Sequence, residues 1–144
     1  MSKISGPLLD RIDIHVDVPS VKIEDLQKKS VGEPSNNIRS RVEAAREIQQ
    51  KRYEPLNANG SKEKVYKNSD LSPKLIADYC EIGEDGKELL KKAMTRMGHS
   101  ARAYDRILKV ARTIADLAAS ERIELPHLSE AIQYRSLDRQ FWNA

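Results

Sequence analysis

The sequence predicts a mainly α-helical protein, a bundle of about five helices preceded by an isolated strand-like or disordered N-terminal segment. Three observations carry this. Apolar residues recur at three- and four-residue steps over most of residues 35–135. Strict two-residue alternation occurs once, in "RIDIHVDVP" (Arg11 to Pro19). Aromatic residues make up only 5% of the chain, which suits helices better than an aromatic-rich sheet.

In the alternating stretch Ile12, Ile14, Val16 and Val18 are separated by Asp13, His15 and Asp17, and Pro19 ends it. One strand alone cannot satisfy its backbone groups or bury its apolar face. Residues 1–20 are therefore expected to be unstructured or loosely packed, and 21–34 to form a linker closing on "VGEPSNN". A helical domain is expected over 35–139, with a tail at 140–144.

Ser35 is the expected N-cap of the first helix, whose stripe Ile38, Val42, Ala45 and Ile48 runs to about Tyr53. "EPLNANGSKEKVYKNSD" (residues 54–70) reads as a long loop, rich in Pro, Asn, Gly, Ser and Lys. Ser72 and Pro73 open a short helix carrying Leu75, Ile76 and Tyr79. Glu84 and Asp85 suit the start of the next, whose apolar face is Leu89, Leu90, Ala93, Met94 and Met97, with Gly98 as its stop. The strongest pattern is "SARAYDRILKVARTIADLAASER", capped by Ser100, and a last helix runs near Pro126 to Arg135.

The charge balance, 25 basic against 22 acidic residues, is interleaved; it permits a nucleic-acid or nucleotide partner without demanding one. A single cysteine, Cys80, rules out an internal disulfide framework and points to a reducing compartment. No apolar run of membrane-spanning length is present, so a cytoplasmic protein with no membrane partner is expected.

On the longest helix, Arg102, Arg106 and Lys109 fall within a sector of roughly 60°, with Arg112 about another 60° away. Ile107, Leu108, Ala111, Ile114 and Ala115 take the opposite side. Such a stripe is either a solvated face or a surface for phosphate or nucleic acid, and Arg102 adds the attraction of a helix N-terminus for anions. Arg11 reads on its own as a surface arginine. "GEDGKE" lacks the spacing of a phosphate-binding loop, and its carboxylates would repel phosphate. The histidines lack partners at metal-ligand spacing, Cys80 has no nearby His or Asp in a pattern that would make it a nucleophile, and no carboxylate pair is placed for acid–base work. No metal site is expected.

"SGPLLDRIDIHVDVP" together with "SARAYDRILKVARTIADLAASERIELPHLSEAIQYRSLDR" resembles the C-terminal part of the Mg chelatase-like AAA+ ATPases, the competence-associated ComM/YifB group related to magnesium chelatase subunit I. The resemblance brackets residues 5–139. It implies that 1–20 is the last strand of an α/β core that lies upstream, and that the helical domain is the lid over the nucleotide. It further implies that Arg11 is the arginine finger reaching a neighbouring subunit's γ-phosphate and that Arg102 is the sensor-2 arginine, with Arg106 nearby. ATP and Mg would be bound by the parent protein, and the partners would be that core and the neighbouring subunits of a ring. The fragment alone is then expected to have no ATPase activity. A different expectation is a helical DNA-binding module gripping backbone phosphates through Arg102, Arg106, Lys109 and Arg112, assisted by Lys62, Lys64 and Lys67.

Overall fold

The computed structural model describes residues 11–20, 32–59, 64–97 and 101–135. Among these, five α-helices follow in order: α1 (Ser35–Ala58), α2 (Pro73–Tyr79), α3 (Glu84–Met97), α4 (Ala101–Leu117) and α5 (Leu125–Gln133), with one 3-10 turn (Asn68–Asp70) between α1 and α2. The mainly helical bundle expected from periodicity is the fold observed. Helix α4 is its axis, since α1, the 3-10 turn, α2 and α5 all pack on it, while α3 packs on α5.

The core follows the apolar stripes. Tyr53, Leu90, Ile107, Ala111, Ala115 and Leu128 are all at most 1% exposed, and each was placed by three- or four-residue spacing on its helix. Ile82 and Ile123, just before α3 and α5, form a parallel bridge and sink into the same core. Gly86 in the first turn of α3 sits over Ile82 and Leu128, where an added Cβ would lie 3.3 Å from that of Ile82. Helix α5 starts with a reciprocal capping box between Glu124 and His127, and α2 has Ser72 at its N-cap with Pro73 following. Helix α4 closes through Ala119 in the left-handed region (φ 52°), with the Ser120 N–H donating to the Ala115 carbonyl.

Of the long loop expected at 54–70, residues 54–58 are helical instead and 68–70 form the 3-10 turn. Helix α1 continues through Pro55 to Ala58, one turn past the expected end. Leu56 packs against the core, and the Asn57 side chain clasps the returning chain: its Nδ2 donates to the Val65 carbonyl (2.8 Å) and its Oδ1 accepts from the Val65 N–H (3.0 Å). Val65, Asn68 and Leu71 are then buried to 2% exposure or less. Val65 and Asn68 thus enter the core while most of the described stretch stays exposed, and the polar composition hid them because asparagine here replaces a backbone partner. Helix α1 also starts at Ser35 itself, with Pro34 at the N-cap.

Asn68 belongs to a buried polar network around Asp116, which is 1% exposed. Asp116 accepts from both terminal nitrogens of Arg52 on α1, from Nε of Arg112 one turn earlier on α4 (3.1 Å) and from Nδ2 of Asn68 (2.8 Å). Asn68 in turn accepts from the Tyr53 hydroxyl (2.6 Å), donates to Thr113 Oγ1 (2.9 Å), and its N–H donates to Gln49. Three elements are thereby fixed in register.

Residues 11–20 are extended and pair with no strand among the described residues. Ile12 and Ile14 are 40% and 47% exposed, rising to 82% at Val18. Several bonds hold the segment to the bundle: the His15 N–H donates to the Tyr134 carbonyl (2.8 Å), Arg135 Nη1 donates to the Ile12 carbonyl (2.9 Å), and Arg106 Nη1 donates to the Arg11 carbonyl (2.6 Å) and pairs with Asp13. Residues 1–10, Lys62, Ser100 and the tail with Leu137, Phe141 and Trp142 lie outside the described residues.

Removing Asp116 leaves the buried guanidinium of Arg112 and the partly buried one of Arg52 without their counter-charge. Asp116→Ala is expected to cost about 3–5 kcal/mol, read as a lowered urea midpoint, whereas Glu43→Ala on the exposed face of α1 should shift it by under about 0.5 kcal/mol. Burial pushes the Cys80 thiol up to about 11 and the Tyr53 hydroxyl up to about 12. Both groups are held neutral by the fold, so the stability they contribute is present below pH 9 and falls as pH rises toward 12, because the unfolded chain ionises first. Urea midpoints measured from pH 8 to 11 should fall, and Cys80→Ala should flatten the first part of that decline.

Candidate functional site

Arg102 is the second residue of α4, in the first turn of a 17-residue helix, and its side chain is exposed. It borders an open groove between the start of α4 and the outer face of α3, lined by Lys87, Lys91 and Met94 from α3 and by Arg102, Tyr104 and Asp105 from α4. Lys87 and Lys91 are one turn apart and project from the same side of α3, opposite the buried Leu90 side chain's neighbours Leu89 and Asp85. Three cationic side chains thus converge on one hollow at the start of a helix, whose dipole favours anions, and Asp105 is the carboxylate among its lining residues. Lys87 makes a surface ion pair with Glu84 (2.7 Å), which raises the affinity of its ammonium for the proton. Both partners are exposed, so the lysine remains free to turn toward an anion. Tyr104, 39% exposed, and Met94 give the groove an apolar wall.

The other stripe residues do not join Arg102. Arg106, one turn on, is turned to the N-terminal segment, where it bonds the Arg11 carbonyl and pairs with Asp13. Lys109 donates to the Ser69 carbonyl in the 3-10 turn (3.0 Å). Arg112, expected on the surface, is only 3% exposed: besides Asp116 it donates to the Glu121 carbonyl (2.9 Å) and the Ser120 carbonyl (2.7 Å), closing the turn after α4. The stripe is therefore a line of tethers, each holding a different stretch of chain to α4, with Arg102 at its head facing the open groove. The Arg112–Asp116 pair was readable as a four-residue spacing; the carbonyl partners had no local signal.

Arg11 is exposed at the start of the extended segment, its backbone engaged by Arg106. Lys67 pairs loosely with Asp70 (3.9 Å) and Lys64 donates to the Asn57 carbonyl (2.6 Å), so both serve the turn that follows α1. Lys87 and Lys91 were not singled out in the sequence. Their signal was the four-residue spacing in "GKELLKK", on the side away from Leu89. His127 is used in the α5 capping box, and among the described residues no three His, Cys, Asp or Glu side chains are grouped to hold a metal ion. No described helix is long and apolar enough to cross a membrane.

Comparison with known proteins fits this layout. Residues 32–135 match the family described as magnesium chelatase, subunit ChlI C-terminal, and residues 1–26 match magnesium chelatase, subunit ChlI. Over 140 residues, 96% of the chain, it is 41% identical to competence protein ComM of Haemophilus influenzae and 39% identical to the uncharacterized protein YifB of Escherichia coli. It is 30% identical over 135 residues to the uncharacterized protein Rv2897c of Mycobacterium tuberculosis, covering 94% of the chain. The chain spans about a quarter of the length of these relatives, 25%, 26% and 25% respectively. The boundary between the two matches falls between the extended segment and α1, and the helical bundle occupies the longer one. By sequence over most of its length, the chain belongs to the magnesium chelatase subunit ChlI C-terminal family.

Proposed function

We propose that this chain is the nucleotide-facing lid of a larger cytoplasmic AAA+ ATPase, contributing an arginine to the γ-phosphate of ATP and coupling hydrolysis to the motion of a ring. The observation that carries this reading is the groove in which Arg102 meets Lys87 and Lys91 at the N-terminus of α4. Phosphoryl transfer is promoted by positioning and by neutralising charge, and a guanidinium at a helix start suits both. The residues present fit a phosphate chain. They do not fit its magnesium, whose ligands this reading assigns to the upstream core. Arg106 supplies the coupling: one turn of α4 separates the phosphate-facing Arg102 from the residue that grips Arg11 and Asp13. A pull on the first is transmitted through a rigid helix to the last strand of the core. In this reading Arg11, exposed on that segment, acts on a neighbouring subunit's nucleotide. The fragment by itself lacks the core's phosphate loop and is not an ATPase.

The alternative, a DNA grip by the basic stripe, draws less support, because Arg106, Lys109 and Arg112 are each engaged within the chain. It would have to use the Arg102 groove or Arg39 and Arg46 instead.

Titration with ATP and a non-hydrolysable analogue, with and without magnesium, should move backbone amide signals of residues 101–106 and of Lys87 and Lys91, with affinity in the millimolar range typical of a partial site. Arg102→Ala should abolish the shifts. Lys87→Ala with Lys91→Ala should weaken binding ~3- to 10-fold. An absence of shifts near Arg102, or shifts unchanged in Arg102→Ala, would overturn the assignment of the groove; ATP turnover by the pure chain would overturn the claim that it is not an enzyme.

A further inference from the structure

Among the described residues two surfaces lack an occupant, and each has the form the other requires. The first is the leading part of α1. Residues 35–44 are exposed throughout, and the stripe that packs on α4 through Ala45, Gln49 and Tyr53 continues outward as Ile38 and Val42, 44% and 43% exposed. Arg46 and Arg39 lie about 60–80° to one side of that line and Arg41 about 80° to the other, with Glu43 and Glu47 beyond about 120°. Arg41 is held by Glu33 in a bidentate pair; Arg39 and Arg46 are exposed and make no ion pair among the described residues. The result is a basic-flanked apolar ridge about 15 Å long, at 1.5 Å per residue.

The second surface lies between α3 and α5. Two adjoining hollows share Asp85, Leu125 and Pro126. Their floor is apolar, formed by Ile82, Ile123, Leu128 and Leu89, and Leu125 is 44% exposed at the edge. Their rim carries Glu84, Asp85, Glu88 and Glu124 against Lys92. Helix α3 divides this acidic groove from the basic groove of Arg102, which lies on its other side.

We infer that the leading turns of α1 from one copy of this chain dock, head to tail, in the acidic α3–α5 groove of a second copy. Ile38 and Val42 would cover Leu89 and Leu125, and Arg39 and Arg46 would face Asp85 and Glu88. A helix within its own groove is not an option, since residues 35–44 are exposed. Because the two surfaces differ, the contact is heterologous: it repeats from copy to copy and closes only as a ring. The inference deepens the ring reading above, but it stands on residues outside the Arg102 groove. A helix of three turns buries less than a standard interface, so association of the isolated chain should be weak.

Sedimentation velocity from about 20 μM to 1 mM at low ionic strength tests this. The expected result is a mass that rises with concentration and returns toward monomer as salt is added. R39E with R46E, and separately D85K with E88K, should each weaken association at least tenfold. An equimolar mixture of the two double variants should associate again, because each supplies a surface matching one on the other. All four positions are exposed, and far-UV circular dichroism checks the fold; the milder R39Q with R46Q provides the same loss should a reversal prevent folding. A wild-type chain that stays monomeric to 1 mM, variants that associate like wild type, or a mixture that does not recover would each overturn the inference. Repeating the ATP titration on these variants separates the two proposals, since the Arg102 groove is unaltered in them.

Discussion

The bundle is organised around one buried carboxylate. Asp116 holds Arg52, Arg112 and Asn68 at once, and through Asn68 it reaches Tyr53, Thr113 and Gln49. A charge in this interior is tolerable only with its partners in place, so α1, the turn before α2 and the end of α4 can adopt one mutual arrangement. Apolar packing supplies most of the driving force, yet it is tolerant of small slips. The polar network is not. It removes the freedom that the Ala-rich stripe of α4 would otherwise leave.

That fixed arrangement gives α4 its two-ended role. Its start carries Arg102 toward the open groove, and its next turn carries Arg106 to the extended segment. A helix anchored rigidly at Asp116 transmits displacement along its length without bending. The opposite charge of the two grooves beside α3 likewise follows from one periodicity: Asp85, Glu88 and Lys92 share one side of the helix, Lys87 and Lys91 the other.

Much of this was legible in the sequence. Helices α2 to α5 and most of the core follow from spacing alone, but the apolar stripe of α1 marks its buried face only from Ala45 onward, since Ile38 and Val42 at its start are exposed. Where the reading departed, side chains had taken over work usually done by backbone. Asn57 pairs with Val65 as a strand neighbour would, and Asn68 sits in the core as a bridging group, so a stretch composed like a loop sends two residues into the interior. The basic stripe shows the same limit from the other direction. Periodicity placed Arg106, Lys109 and Arg112 on the polar side of α4, but it cannot tell a solvated cation from one aimed at a carbonyl forty or ninety residues away in sequence. The Arg102 groove was half legible: the arginine came from its position at a helix start, while Lys87 and Lys91 needed the packing of α3 to bring them to it.

Helix α1 touches the bundle only along its second half, so its first ten residues form a stiff outrigger of about 15 Å. Such an arm is a mechanical amplifier. Were the bundle to turn by about 10° on its anchor, the tip at Ser35 would travel roughly 2–3 Å, given that length, while the core contacts around Asp116 would hardly change. Angular motion too slight to disturb the interior of the domain thus becomes a displacement large enough for a neighbouring molecule to feel.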